Sequence, residues 1–212
     1  MSEPTTPGHD PRSRKKKGCL WFLIFLGVII VLILLYLPMV IVCPGIPDAP
    51  RLRSRAAIKH LQAAITAYEI DSAHFPVPES DWHGPDVSLR TRGLILPILL
   101  GRKEAKALNP KEIKFIDLPM ARDHKNGLWQ EGNEWVLSDP WGEPYYLILD
   151  TNDDLEIANP EFGARASDPK QAEFDLKHPQ PKMLPLTTAI YSSGPDRDSK
   201  TWQDNVCSWH TR

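Results

Sequence analysis

One stretch of the chain has no polar rhythm: Cys19 to Cys43 (CLWFLIFLGVIIVLILLYLPMVIVC) carries no charged residue. As a helix it rises about 37 Å, enough to cross a hydrocarbon core of about 30 Å with some tilt. It is longer than the apolar part of a removable signal peptide, ~7–15 residues, and no small-x-small cleavage site follows it. The segment reads as a transmembrane helix, with Pro38 near its end, where one missing hydrogen bond costs little. PGIPDAP (Pro44–Pro50) then breaks helical geometry. Beyond it a helical period sets in. Ile58, Leu61, Ile65 and Tyr68 recur at three- and four-residue spacing with Ala57 and Ala64 beside them, which predicts an amphipathic helix over about Arg51–Ala73. His74-Phe75-Pro76-Val77-Pro78 ends it.

The remaining pattern is shorter in wavelength. An apolar helix is expected from Arg92 to Leu100, with Gly101 as its C-cap. Glu112 to Ile116 alternates like a half-buried strand, and Glu134–Leu137 and Tyr145–Leu149 read as further strands. Asp150–Asp154 is turn-like and leads into Leu155–Ile157, which suggests a hairpin with the strand before it. Residues 159–185, rich in proline and charge, read as an irregular insertion, and Thr187–Ser192 as a last strand. The expected fold is α+β: an N-terminal transmembrane helix, then an amphipathic helix packed on a small antiparallel sheet. The domains are a basic tail (1–18), the span (19–43), a proline-rich break (44–50) and an exported domain (51–212).

Charge orients this arrangement. Arg12, Arg14 and Lys15–Lys17 directly precede the span, whereas Arg51, Arg53, Arg55 and Lys59 begin eight residues beyond it. The bias places the N-terminus in the cytoplasm and the large domain outside, periplasmic or extracellular. A net charge of -2, without basic-aromatic interleaving, excludes a strongly basic nucleic-acid binder. Cys19 and Cys43 sit at opposite ends of the span and cannot pair within one chain. Cys43 with Cys207 is the one pairing an oxidising compartment allows; the alternative is three free thiols. The seven histidines lack metal-ligand spacing, and HExxH, CxxC and GxSxG are absent, so a non-enzymatic protein is expected. Trp82, Trp129, Trp135, Trp141, Trp202 and Trp209 are read as core filler.

Three pieces together resemble the type IV pilin-like superfamily, and more closely the major pseudopilins of type II secretion. The first is the layout: basic tail, Gly18, apolar span, and an amphipathic helix ending in Phe75-Pro76. The second is Asp139-Pro140-Trp141-Gly142-Glu143-Pro144-Tyr145, close to the family's DPWGNPY turn. The third is Tyr191-Ser192-Ser193-Gly194-Pro195-Asp196 followed by Asp204-Asn205-Val206-Cys207-Ser208-Trp209. Asp139-Pro140-Trp141-Gly142 is also a turn signal by itself, with Asp first, Pro setting φ at the second position and Gly fourth. Trp141 is expected to fold back over the sheet.

The resemblance implies a pilin-like inner-membrane subunit that assembles with other pilin-like or secretion-machinery subunits, or with itself. It implies processing between Gly18 and Cys19, and a calcium ion that orders the C-terminal loop. Carried over by position, Asp196 and Asp204 are side-chain ligands, Asn205 a neutral one, and Ser193 is among the residues supplying carbonyls. Oxygen-rich, glycine-entered loops of this kind suit calcium, which takes six to eight oxygens. The chain departs from the family pattern at several places: Cys19-Leu20-Trp21-Phe22 opens the span unusually, Leu23 stands at the glutamate position, the proline-rich break at 44–50 interrupts a helix that is usually continuous, Phe75-Pro76 stands where Tyr-Pro is more common, and Asn205 where a second acidic residue is common. The alternative function is an uncleaved single-pass protein whose exported domain is a binding module outside any filament. Asp150-x-Asn152-x-Asp154 has the first spacings of an EF-hand loop, with Glu161 at the twelfth place, but Leu155 stands where glycine is needed, so a turn is the better reading.

Overall fold

The computed structural model describes residues 48–162 and 179–210, together with Trp21, 25–33, Glu173 and Lys177. The chain divides into two units, Met1–Pro47 and Asp48–Arg212. In the first, residues 25–33 are helical, with exposed apolar side chains from Phe25 to Ile33. Among the described residues no helix is long and apolar enough to cross a membrane. The expected 19–43 span lies for most of its length outside them, as do Gly18, Cys19, Leu23 and Cys43.

In the second unit, helix α1 runs from Ala49 to Ser72. Pro50 fits its first turn, where no intrahelical donor is needed. Its buried positions are Ser54, Ile58, Leu61, Ala64, Ile65 and Tyr68; all but Ser54 belong to the stripe that the helical period marks, and Ala57 beside them is half-buried. Each fully buried Ile or Leu contributes roughly 1.5–3 kcal/mol relative to exposure. The helix stops at Ala73, whose φ of 60° is left-handed and whose N–H donates to the Glu69 carbonyl at 2.7 Å.

Eight strands follow among the described residues: β1 (Val87–Arg90), β2 (Gly127–Glu131), β3 (Glu134–Ser138), β4 (Tyr146–Leu149), β5 (Ile157–Ala158), β6 (Met183–Leu184), β7 (Thr188–Ser192) and β8 (Val206–Cys207). The main sheet is antiparallel in the order β1-β4-β7-β8, with Leu147 opposite Leu89 on one side and Ile190 on the other. Helix α1 packs against β7 and β8. The class is therefore α+β, with a small antiparallel sheet. Its core joins the α1 stripe to Leu147, Leu149, Ile190 and Val206, with Trp82, Trp135 and Trp141 packed around it. Trp202 is itself buried, beside Tyr191 and Cys207. Cys207 is a buried free thiol whose pKa burial pushes up.

Three local expectations are corrected. The short helix α2 covers only Ile95–Leu99, because Gly93 at φ 71° breaks the chain before it. Glu112–Ile116 is not a strand. The Asn109 side chain takes that segment's backbone, accepting from the Ile113 N–H and donating to the carbonyls of Ile98 and Ile113. The N–H groups of Phe115 and Ile116 turn to the Leu99 carbonyl. Gly101 is required there, since a Cβ on it would lie 2.6 Å from the Glu112 carbonyl. Finally, β4 makes no hairpin with residues 155–157. Its two edges are already taken by β1 and β7, so β5 pairs instead with β6, a strand inside the 159–185 region read as irregular.

Candidate functional site

The Asp139 turn and the C-terminal loop, distant in sequence, form one hydrogen-bonded unit. Asp139 is fully buried. Its Oδ1 accepts the N–H groups of Trp141, Gly142 and Glu143 at 2.8–2.9 Å. Its Oδ2 accepts the Ser192 hydroxyl at 2.5 Å, and Ser192 Oγ in turn accepts the Gly194 N–H. Burial raises the Asp139 pKa, and these four donors oppose the rise. The turn residue thus holds the end of β7 and the entrance of the loop that follows it.

That loop, residues 193–205, returns to the sheet as β8. Gly194 sits at φ 70°, and a Cβ there would come 2.5 Å from the Asp204 carbonyl oxygen. The two ends of the loop therefore touch at a place only glycine allows. At the tip, Asp196 accepts the Asp198 N–H through Oδ1 and the Thr201 hydroxyl through Oδ2. Asp198 accepts the Lys200 N–H. These are the local side-chain-to-backbone bonds that build turns. Asp196 is thus exposed and engaged within the tip.

At the base of the loop the situation is reversed. Ser193 Oγ, Asp204 Oδ1 and Asn205 Oδ1 are buried and have no hydrogen-bond partner among the described residues. Ser193 is fully buried, Asn205 is 8% exposed, and the Asn205 amide nitrogen donates to the Ser199 carbonyl at 3.2 Å. Leaving buried acceptors unpaired is costly, and a cation removes that cost. The Asp204 pKa is raised, first by burial and then by the nearby Asp196 charge, while Arg51 from the start of α1 opposes the rise. Of the four expected ligand residues, Asp204 and Asn205 each keep an unpaired side-chain oxygen, Ser193 leaves its hydroxyl unpaired although its carbonyl was the expected ligand, and both carboxylate oxygens of Asp196 are hydrogen-bonded within the tip. No group of three or more His, Cys, Asp or Glu side chains able to hold a metal occurs among the described residues. A cation at this place would rely on one half-buried carboxylate and neutral oxygens. This suits calcium with weak affinity, because affinity follows ligand charge.

The second acidic run is a structural turn. Asp150 is buried, and its carboxylate accepts the N–H groups of Asp154 and Leu155. Leu155, at the place an EF-hand gives to glycine, has φ 65°. Glu161 does not join this run; its Oε2 faces His210 Nε2 at 2.9 Å. Sequence reasoning did not connect Arg51 to Asp204, since nothing local in either segment marks the approach. Comparison of the chain with protein-family models, curated proteins and solved structures returns no match.

Proposed function

We propose that this chain is a non-enzymatic, membrane-anchored pseudopilin-like subunit of a type II secretion or type IV pilus-like assembly. The basic tail lies in the cytoplasm, and the α+β domain is presented on the outer side of the inner membrane. The observation that carries the reading is the coupling of its two motifs. The Asp139 turn holds Ser192 and, through it, the entrance of a loop whose base keeps three buried oxygens unpaired. These three belong to residues that the resemblance marks for calcium. Bound there, calcium supplies positive charge that satisfies those oxygens and fixes the loop. Ser193, Asp204 and Asn205 hold it, and Asp196 shapes the tip. The helical, apolar and exposed stretch from Phe25 to Ile33 agrees with an anchor that meets lipid or other subunits.

Leu23 favours a second reading, a permanently anchored binding module. The family's glutamate at that position is thought to neutralise a neighbour's new amino terminus inside the membrane, and leucine cannot. The intact mass of the protein recovered from its native membrane separates the two. A chain starting at Cys19, with or without an added methyl group, supports processing and assembly. A chain that retains Gly18 and the tail before it rejects the first reading in favour of the second.

A further inference from the structure

The first turns of α1 and the C-terminal residues enclose a polar pocket of about 70 Å³, with walls from Arg51, Arg55, Trp202, Asn205, Cys207 and His210. Three of its properties are unexplained by packing. Arg51 and Arg55 stand one helical turn apart, a like-charge spacing that weakens a helix. Neither makes an ion pair among the described residues, although the Arg51 charge reaches Asp204. The helix end itself is bare: Asp48 makes no side-chain cap, and the first turn has no acidic residue. Most tellingly, Trp202 is 3% exposed and its indole N–H is buried without an acceptor.

A buried donor and two guanidinium groups without an ion pair ask for the same complement, a compact oxyanion. We propose that the pocket binds a phosphate group. Arg51 and Arg55 supply charge-assisted hydrogen bonds, and Trp202 Nε1–H supplies the neutral third. The volume of about 70 Å³ is on the scale of one tetrahedral phosphate. Cys207 and Asn205 form wall, with the Asn205 amide nitrogen committed to the Ser199 carbonyl. His210 adds a ring whose Nε2 is held by Glu161. Two sources share this chemistry. One is free phosphate. The other is a phospholipid headgroup, since Arg51 follows the apolar run ending at Cys43 by only eight residues.

The test uses the full chain in non-ionic detergent with a chelator present, titrated with inorganic phosphate. The indole N–H resonance that disappears in Trp202→Phe is followed by NMR. The expected result is a saturable shift of that resonance, with affinity weakened about tenfold or more in Arg51→Gln and in Arg55→Gln. Arg55 is exposed, so its variant folds whatever Arg51→Gln does. A shift reproduced by sodium chloride at equal ionic strength, or affinity unchanged in both arginine variants, overturns the proposal. Nanodiscs then assign the source. A resonance already shifted in phosphatidylglycerol but not in phosphatidylcholine identifies the headgroup. One that moves only when phosphate is added, in both lipids, identifies the free ion. No movement in either lipid, with or without phosphate, also overturns it.

Discussion

Two aspartates carry opposite duties around the same loop. Asp139 is a satisfied buried acceptor, and its loss strands the N–H groups of Trp141, Gly142 and Glu143 and the Ser192 hydroxyl together. Asp139→Ala is expected to destabilise the domain by on the order of 3–4 kcal/mol, measured by denaturant unfolding of the full chain in detergent. Asp139→Asn keeps an acceptor for the three N–H groups and costs less. Asp204 keeps one buried carboxylate oxygen, Oδ1, without a partner among the described residues. Its folded-state pKa is raised, mainly by burial and then by Asp196, so the fold favours the protonated form. That contribution is fully present below the unfolded-state value and is lost as pH rises through the folded one. In chelator, the unfolding temperature is therefore expected to fall as pH rises above the ordinary aspartate range. Asp204→Asn should flatten this dependence, raise the neutral-pH midpoint in chelator, and remove any response to calcium. A parallel pH profile for the variant and the wild type contradicts the assignment.

Helix α1 shows most directly how an element's energy follows from its sequence period. Leu61 is fully buried on the face toward the sheet, whereas Ile70 is 81% exposed on the same helix. Leu61→Ala is expected to cost about 2–5 kcal/mol, and Ile70→Ala to stay within about 0.5 kcal/mol; denaturant unfolding of both variants checks the contrast. The helix was legible because five of its buried positions, Ile58, Leu61, Ala64, Ile65 and Tyr68, repeat a local spacing. Strands β3, β4 and β7 were legible for a similar reason, as short apolar or alternating runs. Other elements depend on partners far along the chain. Val87–Arg90 becomes a strand because Leu147 and its neighbours offer an edge, and Ile157 pairs with Leu184 because both edges of β4 are filled. Glu112–Ile116 alternates like a strand, yet one side chain, Asn109, diverts its backbone. At the site, Ser193, Asp204 and Asn205 stood out by motif order. The meeting of Gly194 with the Asp204 backbone, and of Arg51 with the Asp204 charge, has no local signature.

Across the whole domain, the calcium reading makes a claim about cooperativity. The loop is joined at both ends to the central sheet, through Ser192 in β7 and Val206 in β8, and α1 packs against both strands. An ion that satisfies Ser193, Asp204 and Asn205 therefore stabilises the folded state of the domain, beyond the loop alone. Ligand linkage sets the size: at a free concentration of 100 times Kd, stabilisation is about 2.7 kcal/mol. For a domain of this length that corresponds to roughly 5–10 °C in unfolding temperature. Calcium added to chelated full-length protein is expected to raise the single unfolding midpoint, read by near-ultraviolet circular dichroism of the buried Trp202 and the half-buried tryptophans around the core. Magnesium at equal concentration should do much less, because it dehydrates reluctantly and demands octahedral geometry. If calcium instead sharpened only a local, low-temperature phase and left the main transition in place, the loop would be an appendage. If neither ion moved any transition, the unpaired oxygens would be served by water, and the protein's link to calcium-ordered pseudopilins would rest on its layout alone.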